Sequence, residues 1–208
     1  MLKPLVWSLT KVTVLGREHL DTVSAPFIVV SNHSSHLDAP LILGGLPRRL
    51  ARYLAAGAAA DYFFDVWWRK GLTALFFNAF PVDRTGLRGR RGVATGLLDD
   101  GVPLLLFPEG TRSRTGEMAP FKPGVAAICV SRGIPCLPAA IVGAHEAMPR
   151  DTSWPRRGRP PVILAFGEPM TAEEDETTAE FSDRMAKEVT GLVDYAMAYR
   201  EQQQVPGS

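Results

Sequence analysis

The chain has 208 residues, of which 46% are hydrophobic, 22% charged and 9% aromatic, a length and balance suited to one packed domain and not to a disordered chain. The net charge of +1 is unevenly spread: residues 168–208 carry three basic and ten acidic side chains, which leaves residues 1–167 at +8. A basic body is compatible with anionic lipid, a phosphate-bearing substrate or nucleic acid, and the plainer reading is an ordinary domain with a solvated acidic helix.

Residues 1–20 read as a short helix and then a strand at Val12–Leu15, closed by Gly16. Phe27–Ser31 is an apolar, β-rich run that Pro26 starts. Ala39–Leu46 is a short apolar helix stopped by Pro47, and Arg48–Leu54 is a candidate third strand. Residues 57–77 have helical character, with a break near Gly71. Strand character resumes at Phe77–Val82, and Thr85–Gly92 is a basic, glycine-containing loop. Val93–Asp100 predicts a helix capped by Gly101, and Leu104–Phe107 a buried strand. Gly124–Arg132 predicts a helix capped by Gly133. Cys136–Val142 is a strand containing Pro138, which argues for an edge, a bulge or a strand start. A loop rich in proline and arginine spans residues 145–161, and Val162–Phe166 is the last strand. Residues 177–200 form an amphipathic helix with Phe181, Met185, Val189, Leu192, Val193 and Ala196 on one face, and residues 201–208 a frayed tail.

Strands that alternate with helices predict an α/β fold, a mainly parallel sheet flanked by helices on both faces, over a single domain 1–208. The chemistry of such a sheet gathers at the carboxyl ends of its strands. Cys129 and Cys136 are too few for a disulfide framework and read as reduced core residues of a cytosolic protein. Met1–Pro4 opens without a long apolar segment, so no secretory leader is expected. No run of about 18 apolar residues predicts a transmembrane helix. The most membrane-like stretch is Tyr53–Val82, broken by Asp61, Asp65, Arg69 and Lys70. Its Trp67-Trp68-Arg69-Lys70 has the aromatic-then-basic character of interfacial segments, and a buried amphipathic helix explains it equally well.

His33 follows the Phe27–Ser31 strand, where a side chain reaches the rim of a sheet. Histidine moves protons near neutral pH, and a carboxylate on its second nitrogen fixes the tautomer. Asp38 stands five residues later. Five residues of regular helix turn about 140° beyond a full circle, so the pair meets only if a turn precedes the helix. A mere loop histidine, or a metal site of His33, His36 and Asp38, is the competing local reading.

Four short motifs together are more specific. Asn32-His33-Ser34-Ser35-His36-Leu37-Asp38 resembles the NHxxxxD first motif of the glycerolipid acyltransferases, the family of 1-acylglycerol-3-phosphate acyltransferases. Phe80-Pro81-Val82-Asp83-Arg84 resembles the second motif and Phe107–Ser113 the third, FPEGTRS. Ile134-Pro135-Cys136-Leu137-Pro138-Ala139 is similar to the fourth, and the set spans roughly half the chain.

The resemblance implies acyl transfer from acyl-CoA or acyl carrier protein to the free hydroxyl of 1-acylglycerol-3-phosphate, giving phosphatidic acid. In that reading His33 is the general base and Asp38 orients it, with no acyl-enzyme. Arg112 grips a phosphate, Gly110 lets backbone approach the ligand and Thr111 adds a hydroxyl. Glu109 holds Arg112 or the acceptor hydroxyl, since it cannot bind an anion directly. Arg84 is a second phosphate clamp, and Arg88, Arg90, Arg91 and Lys122 attract anionic groups. Pro138 shapes the wall of the acyl or thioester site. Arg112 as a surface ion-pair partner is the bland alternative. No metal and no cofactor are expected beyond the acyl donor, and no nucleic-acid partner, because no module interleaves the basic residues with stacking aromatics. Peripheral attachment to the cytoplasmic face of the cell membrane is expected, through residues 1–24 (Met1–Leu9 with Trp7) or the Tyr53–Phe80 region. The alternatives are another lysophospholipid or a glycolipid as acceptor, or a lipid-binding module without catalysis.

Overall fold

A computed structural model of the protein describes residues 7–59, 80–82, 91–152 and 154–204. In chain order the elements are β1 (Lys11–Leu15), a 3₁₀ turn (Arg17–Leu20), β2 (Ile28–Ser31), α1 (Asp38–Gly45), α2 (Arg48–Ala51), β3 (Ala55–Ala59) and β4 (Phe80–Val82). There follow α3 (Arg91–Asp99), β5 (Leu104–Leu106), α4 (Gly124–Arg132), β6 (Cys136–Val142), α5 (Ala144–Ala147), β7 (Pro161–Phe166) and α6 (Thr178–Gln204).

The strands form one sheet of order β1-β7-β6-β2-β5-β3-β4. Every pairing is parallel except β6 with β7. The carboxyl ends of β2 to β6 therefore share one edge. β7 runs the other way, so it starts at that edge, and β1, parallel to β7, starts there too.

Side-chain alternation divides the core between the faces of the sheet. Val29, Leu137, Ile141 and Leu164 pack with Leu41 and Ile42 of α1. Ile28, Val30, Leu104 and Cys136 pack with Val125, Ala126 and Cys129 of α4 and with Phe181, Met185 and Val189 of α6. Both faces are covered, so the central strands can be apolar throughout; all four residues of β2 are buried. Burial also pushes the Cys129 thiol up to about 12 and raises that of Cys136 well above the ordinary thiol value.

Several elements differ from the expectation. Residues 48–51, expected to start a third strand, are one turn of helix whose Leu50 and Ala51 amides donate to the Pro47 carbonyl at 2.9 and 3.0 Å. The guanidinium of Arg49 pins this turn by donating to the carbonyls of Val23, at 2.7 Å, and Leu20. The third strand lies later, at Ala55–Ala59, where a helix was expected from residue 57. Its Ala-Ala-Gly-Ala-Ala sequence has little intrinsic β preference, and pairing with β5 and β4 decides its conformation. The expected break near Gly71 and the interfacial Trp67–Lys70 stretch lie outside the described residues. So does most of the basic loop, of which Arg91 and Gly92 begin α3.

Trp7, expected at a membrane, is half-buried against the core, where a Cβ on Gly44 would meet its indole nitrogen at 2.4 Å. Glu201–Gln204 continue α6 instead of fraying. That helix opens with a capping box: the Thr177 amide donates to Glu180 at 2.9 Å and the Glu180 amide to the Thr177 hydroxyl at 3.3 Å. No helix among the described residues is long and apolar enough to cross a membrane.

Pro138 sits in β6, between β2 and β7. The Ile28 amide bonds the Pro135 carbonyl, and this parity turns the nitrogen of Pro138 away from β2. On the other side, Ala139 pairs with Phe166 and Cys136 with Met170, so residues 137–138 face residues 167–169. The missing N–H thus falls at a one-residue bulge, one of the places expected for a proline in a strand.

Candidate active site

β2 ends at Ser31, opposite Ala139. The next rung of the ladder is made by a side chain: the Asn32 amide donates to the Ile141 carbonyl at 2.9 Å, and its oxygen accepts from the Ile141 amide at 2.8 Å. The main chain is released from the sheet there and turns through residues 33–37. Asp38, the first residue of α1, closes this turn and is fully buried. Its Oδ2 accepts from the amides of Ser34 and Ser35, at 2.7 and 2.8 Å, and lies 2.9 Å from His33 Nδ1. The spacing of five works because a turn and not a helix separates the two side chains.

The loop after β5 holds His33 from the other side. Phe107 stacks on the imidazole, with centroids 3.9 Å apart and planes at 14°. The His33 amide donates to Glu109 Oε1 at 2.6 Å, and the His33 carbonyl accepts from the Ser113 amide at 2.7 Å. Glu109 Oε2 accepts from the Ala119 amide at 2.8 Å. Glu109 is 3% exposed, and burial raises its carboxyl pKa despite the two amides. For Glu109, expected to hold Arg112 or the acceptor hydroxyl, the structure adds a main-chain role. Both carboxylate oxygens are fastened to main-chain amides, one of them that of His33.

Gly110 has φ +75°, in the left-handed region, and a Cβ there would lie 2.7 Å from Lys122 Nζ. Lys122, whose amide donates to the Pro108 carbonyl at 3.0 Å, therefore lies across the Gly110 backbone. Arg112 and Arg150 are joined reciprocally. Arg112 donates to the Arg150 carbonyl at 3.4 Å, and Arg150 to the Arg112 carbonyl at 3.0 Å. Together with Thr111, Ser113, Arg114 and Glu117 they line an open cleft of about 520 Å³. His36 is held down to about 4, first by burial and then by the charges of Arg112 and His33.

Of the expected residues, His33, Asp38, Glu109, Gly110, Thr111, Arg112 and Lys122 come together at the carboxyl edge of the sheet. Arg84, just beyond β4, lies outside the described residues, as do Arg88 and Arg90. Pro138 does not line the cleft: it is buried in β6 with its ring against Gly167, because its strand is interior to the sheet. Sequence reading missed the stacking of Phe107, the ladder role of Asn32, and Arg150. Arg150 is 38 residues from Arg112, in a loop whose composition was its only signal. Among the described residues no three His, Cys, Asp or Glu side chains are grouped to hold a metal ion.

The family described as Acyltransferase matches residues 11–142, more than half of the chain and all of the assembled site but Arg150. A 1-acyl-sn-glycerol-3-phosphate acyltransferase of Chlamydomonas reinhardtii is 31% identical over 67% of this chain and 41% of its own. The enzyme of that name from Cocos nucifera is 27% identical over 82% of this chain and 53% of its own. The human alpha form is 34% identical over 62% and 44%. The chain thus spans about half the length of these curated relatives. Among solved structures, the 1-acyl-sn-glycerophosphate acyltransferase PlsC from Thermotoga maritima superposes with a TM-score of 0.73 at 28% identity, over 93% of this chain and 75% of that one. With the family match covering six of the seven strands and the motifs around His33 and Glu109, the chain belongs to the acyltransferase family.

Proposed function

We propose that the protein transfers a fatty acyl group from a thioester, acyl-CoA or acyl carrier protein, to the free hydroxyl of 1-acylglycerol-3-phosphate, giving phosphatidic acid. The observation that carries this reading is the contact of His33 Nδ1 with buried Asp38 at 2.9 Å. With Nδ1–H donated to the carboxylate, Nε2 keeps its lone pair and can take a proton. The hydroxyl oxygen attacks the thioester carbonyl while Nε2 removes its proton. The C–S bond of the tetrahedral intermediate then breaks, and the thiolate leaves with that proton. Asp38 balances the imidazolium between the two steps. Arg112 supplies a fork for the acceptor phosphate, and the cleft beside it carries Arg114 and Arg150 as well. The names of the relatives support this acceptor.

The acceptor carries one long acyl chain and the product two, and both partition into a bilayer, so the reading includes peripheral attachment to the cytoplasmic face of the cell membrane. The test is transfer from labelled acyl-CoA, and separately from acyl carrier protein, to lysophosphatidic acid and to other lysophospholipids, with wild type and His33→Ala. Phosphatidic acid made only by wild type is the expected result. Transfer to a different lysolipid alone would change the acceptor, and no transfer to any acceptor in detergent would sink the enzymatic reading.

A further inference from the structure

The antiparallel pairing of β7 has a consequence for the surface around the site. Were β7 parallel to β6, the chain between them would have to cross to the opposite edge. Instead the connection starts and ends at the edge that carries His33. Four arginines, 150, 156, 157 and 159, lie in this connection against two acidic residues, Asp151 and Glu146, and Glu146 is paired with Arg200 of α6 at 3.1 Å. Trp154 stands among them 64% exposed.

This exposure is imposed by the structure around it. Pro155 is buried, and the Arg156 amide donates to the Ala147 carbonyl at 2.8 Å. Arg159 donates to the carbonyls of Trp7 and Thr10, at 3.1 and 3.3 Å, and ties the connection to the segment ahead of β1. On the cleft side Arg150 is tied to Arg112. An indole held in water among arginines matches the headgroup layer of a bilayer, where tryptophan lies at the interface and arginine meets lipid phosphate.

Other exposed apolar side chains fit an anionic surface less well. Tyr195 and Met197 lie on α6, within the acidic residues 168–208. Tyr53 precedes β3, at the edge opposite His33.

We propose that Trp154, with Arg156 and Arg157 beside it, is the contact of this protein with an anionic lipid bilayer, seated so that the cleft edge faces the membrane. The inference rests on the peripheral attachment included in the proposed function and names the surface that makes it.

The experiment is vesicle flotation of wild type, Trp154→Ala and Arg156→Gln/Arg157→Gln, using phosphatidylcholine vesicles with and without about one-third phosphatidylglycerol. Each variant is also assayed for transfer to a short-chain, monomeric lysophosphatidic acid and to the same acceptor class embedded in the vesicles. Wild type is expected to float with the anionic vesicles at low salt. The double variant should bind them about 25-fold more weakly, each arginine contributing about fivefold, and this difference should shrink at high salt. Trp154→Ala should weaken binding at any salt. Both should turn over the monomeric acceptor at the wild-type rate and lose rate on vesicles. Variants that float like wild type, or a wild type that never floats, would overturn the proposal. So would variants that float normally but lose transfer from acyl carrier protein alone, which would make this surface a dock for an acidic protein. If wild type floats through these residues but transfers no acyl group to either acceptor, the docking surface stands and the proposed function fails by itself.

Discussion

Glu109 Oε1 accepts the main-chain N–H of His33 at 2.6 Å. The carboxylate of the third motif is thereby a clamp on the backbone of the first, and its other oxygen secures Ala119 in the same loop. Glu109→Gln keeps the shape but replaces one acceptor by an amide that faces an N–H. Loss of one such buried bond costs about 1–3 kcal/mol. We expect a lower Tm and a kcat reduced about 10- to 100-fold through misplacement of His33, with both KM values nearly unchanged. Steady-state kinetics with a melting curve checks this. A rise confined to acceptor KM would make Glu109 a substrate ligand after all.

His33→Ala should lower kcat by about 10²–10⁴-fold while the melting curve stays close to wild type, since the ring is partly exposed and its backbone bonds remain. Asp38→Asn tests the tautomer. The asparagine amide can present an N–H to Nδ1, which moves the imidazole proton to Nε2 and removes the base. A loss of about 10³–10⁴-fold in kcat is expected. Near-normal turnover in either variant would take the pair out of the mechanism.

Arg112→Ala should raise acceptor KM about 10- to 100-fold and leave the acyl-donor KM unchanged, in line with loss of a charged hydrogen bond of about 1.5–3 kcal/mol. Arg150→Ala removes the donor that holds the Arg112 carbonyl, so a smaller rise in the same constant is expected. Because the two share partners, the double variant should fall short of the product of the single effects. An effect on the donor KM alone would move Arg112 to the thioester side.

His36 titrates at about 4 in the folded protein, against 6.5 for an ordinary histidine. Between these values the unfolded chain binds the extra proton and the folded one does not. Stability therefore rises with pH from about 4 to about 6.5 and is unaffected by this group above that. The ring is only partly buried, so solvent screening limits the contribution to about 1–2 kcal/mol. His36→Gln should flatten this part of a stability-versus-pH curve measured by denaturant unfolding. A curve unchanged by the substitution would exclude His36 as its source.

What the sequence determined by itself is local. The continuous apolar, β-branched run Phe27–Ser31 and the 3.6-residue periodicity of residues 177–200 specify strand and helix because a central strand buries both its faces and a surface helix one. Gly133, at φ +61°, ends α4 where expected because an L side chain is strained there. The four motifs were legible as a set because each is a short, contiguous run of specific residues. What depends on partners far along the chain was not. Ala55–Ala59 is a strand only because β5 and β4 flank it. Residues 48–51 turn as a helix that Arg49 anchors to carbonyls more than twenty residues earlier. The main-chain role of Glu109 was not legible because its residue type suggests a charged partner, whereas the fold presents it with two amides in a buried place. Arg150 meets Arg112, and Trp154 reaches the edge of His33, because β7 pairs antiparallel to β6. That strand direction is a property of the assembled sheet and of no single segment.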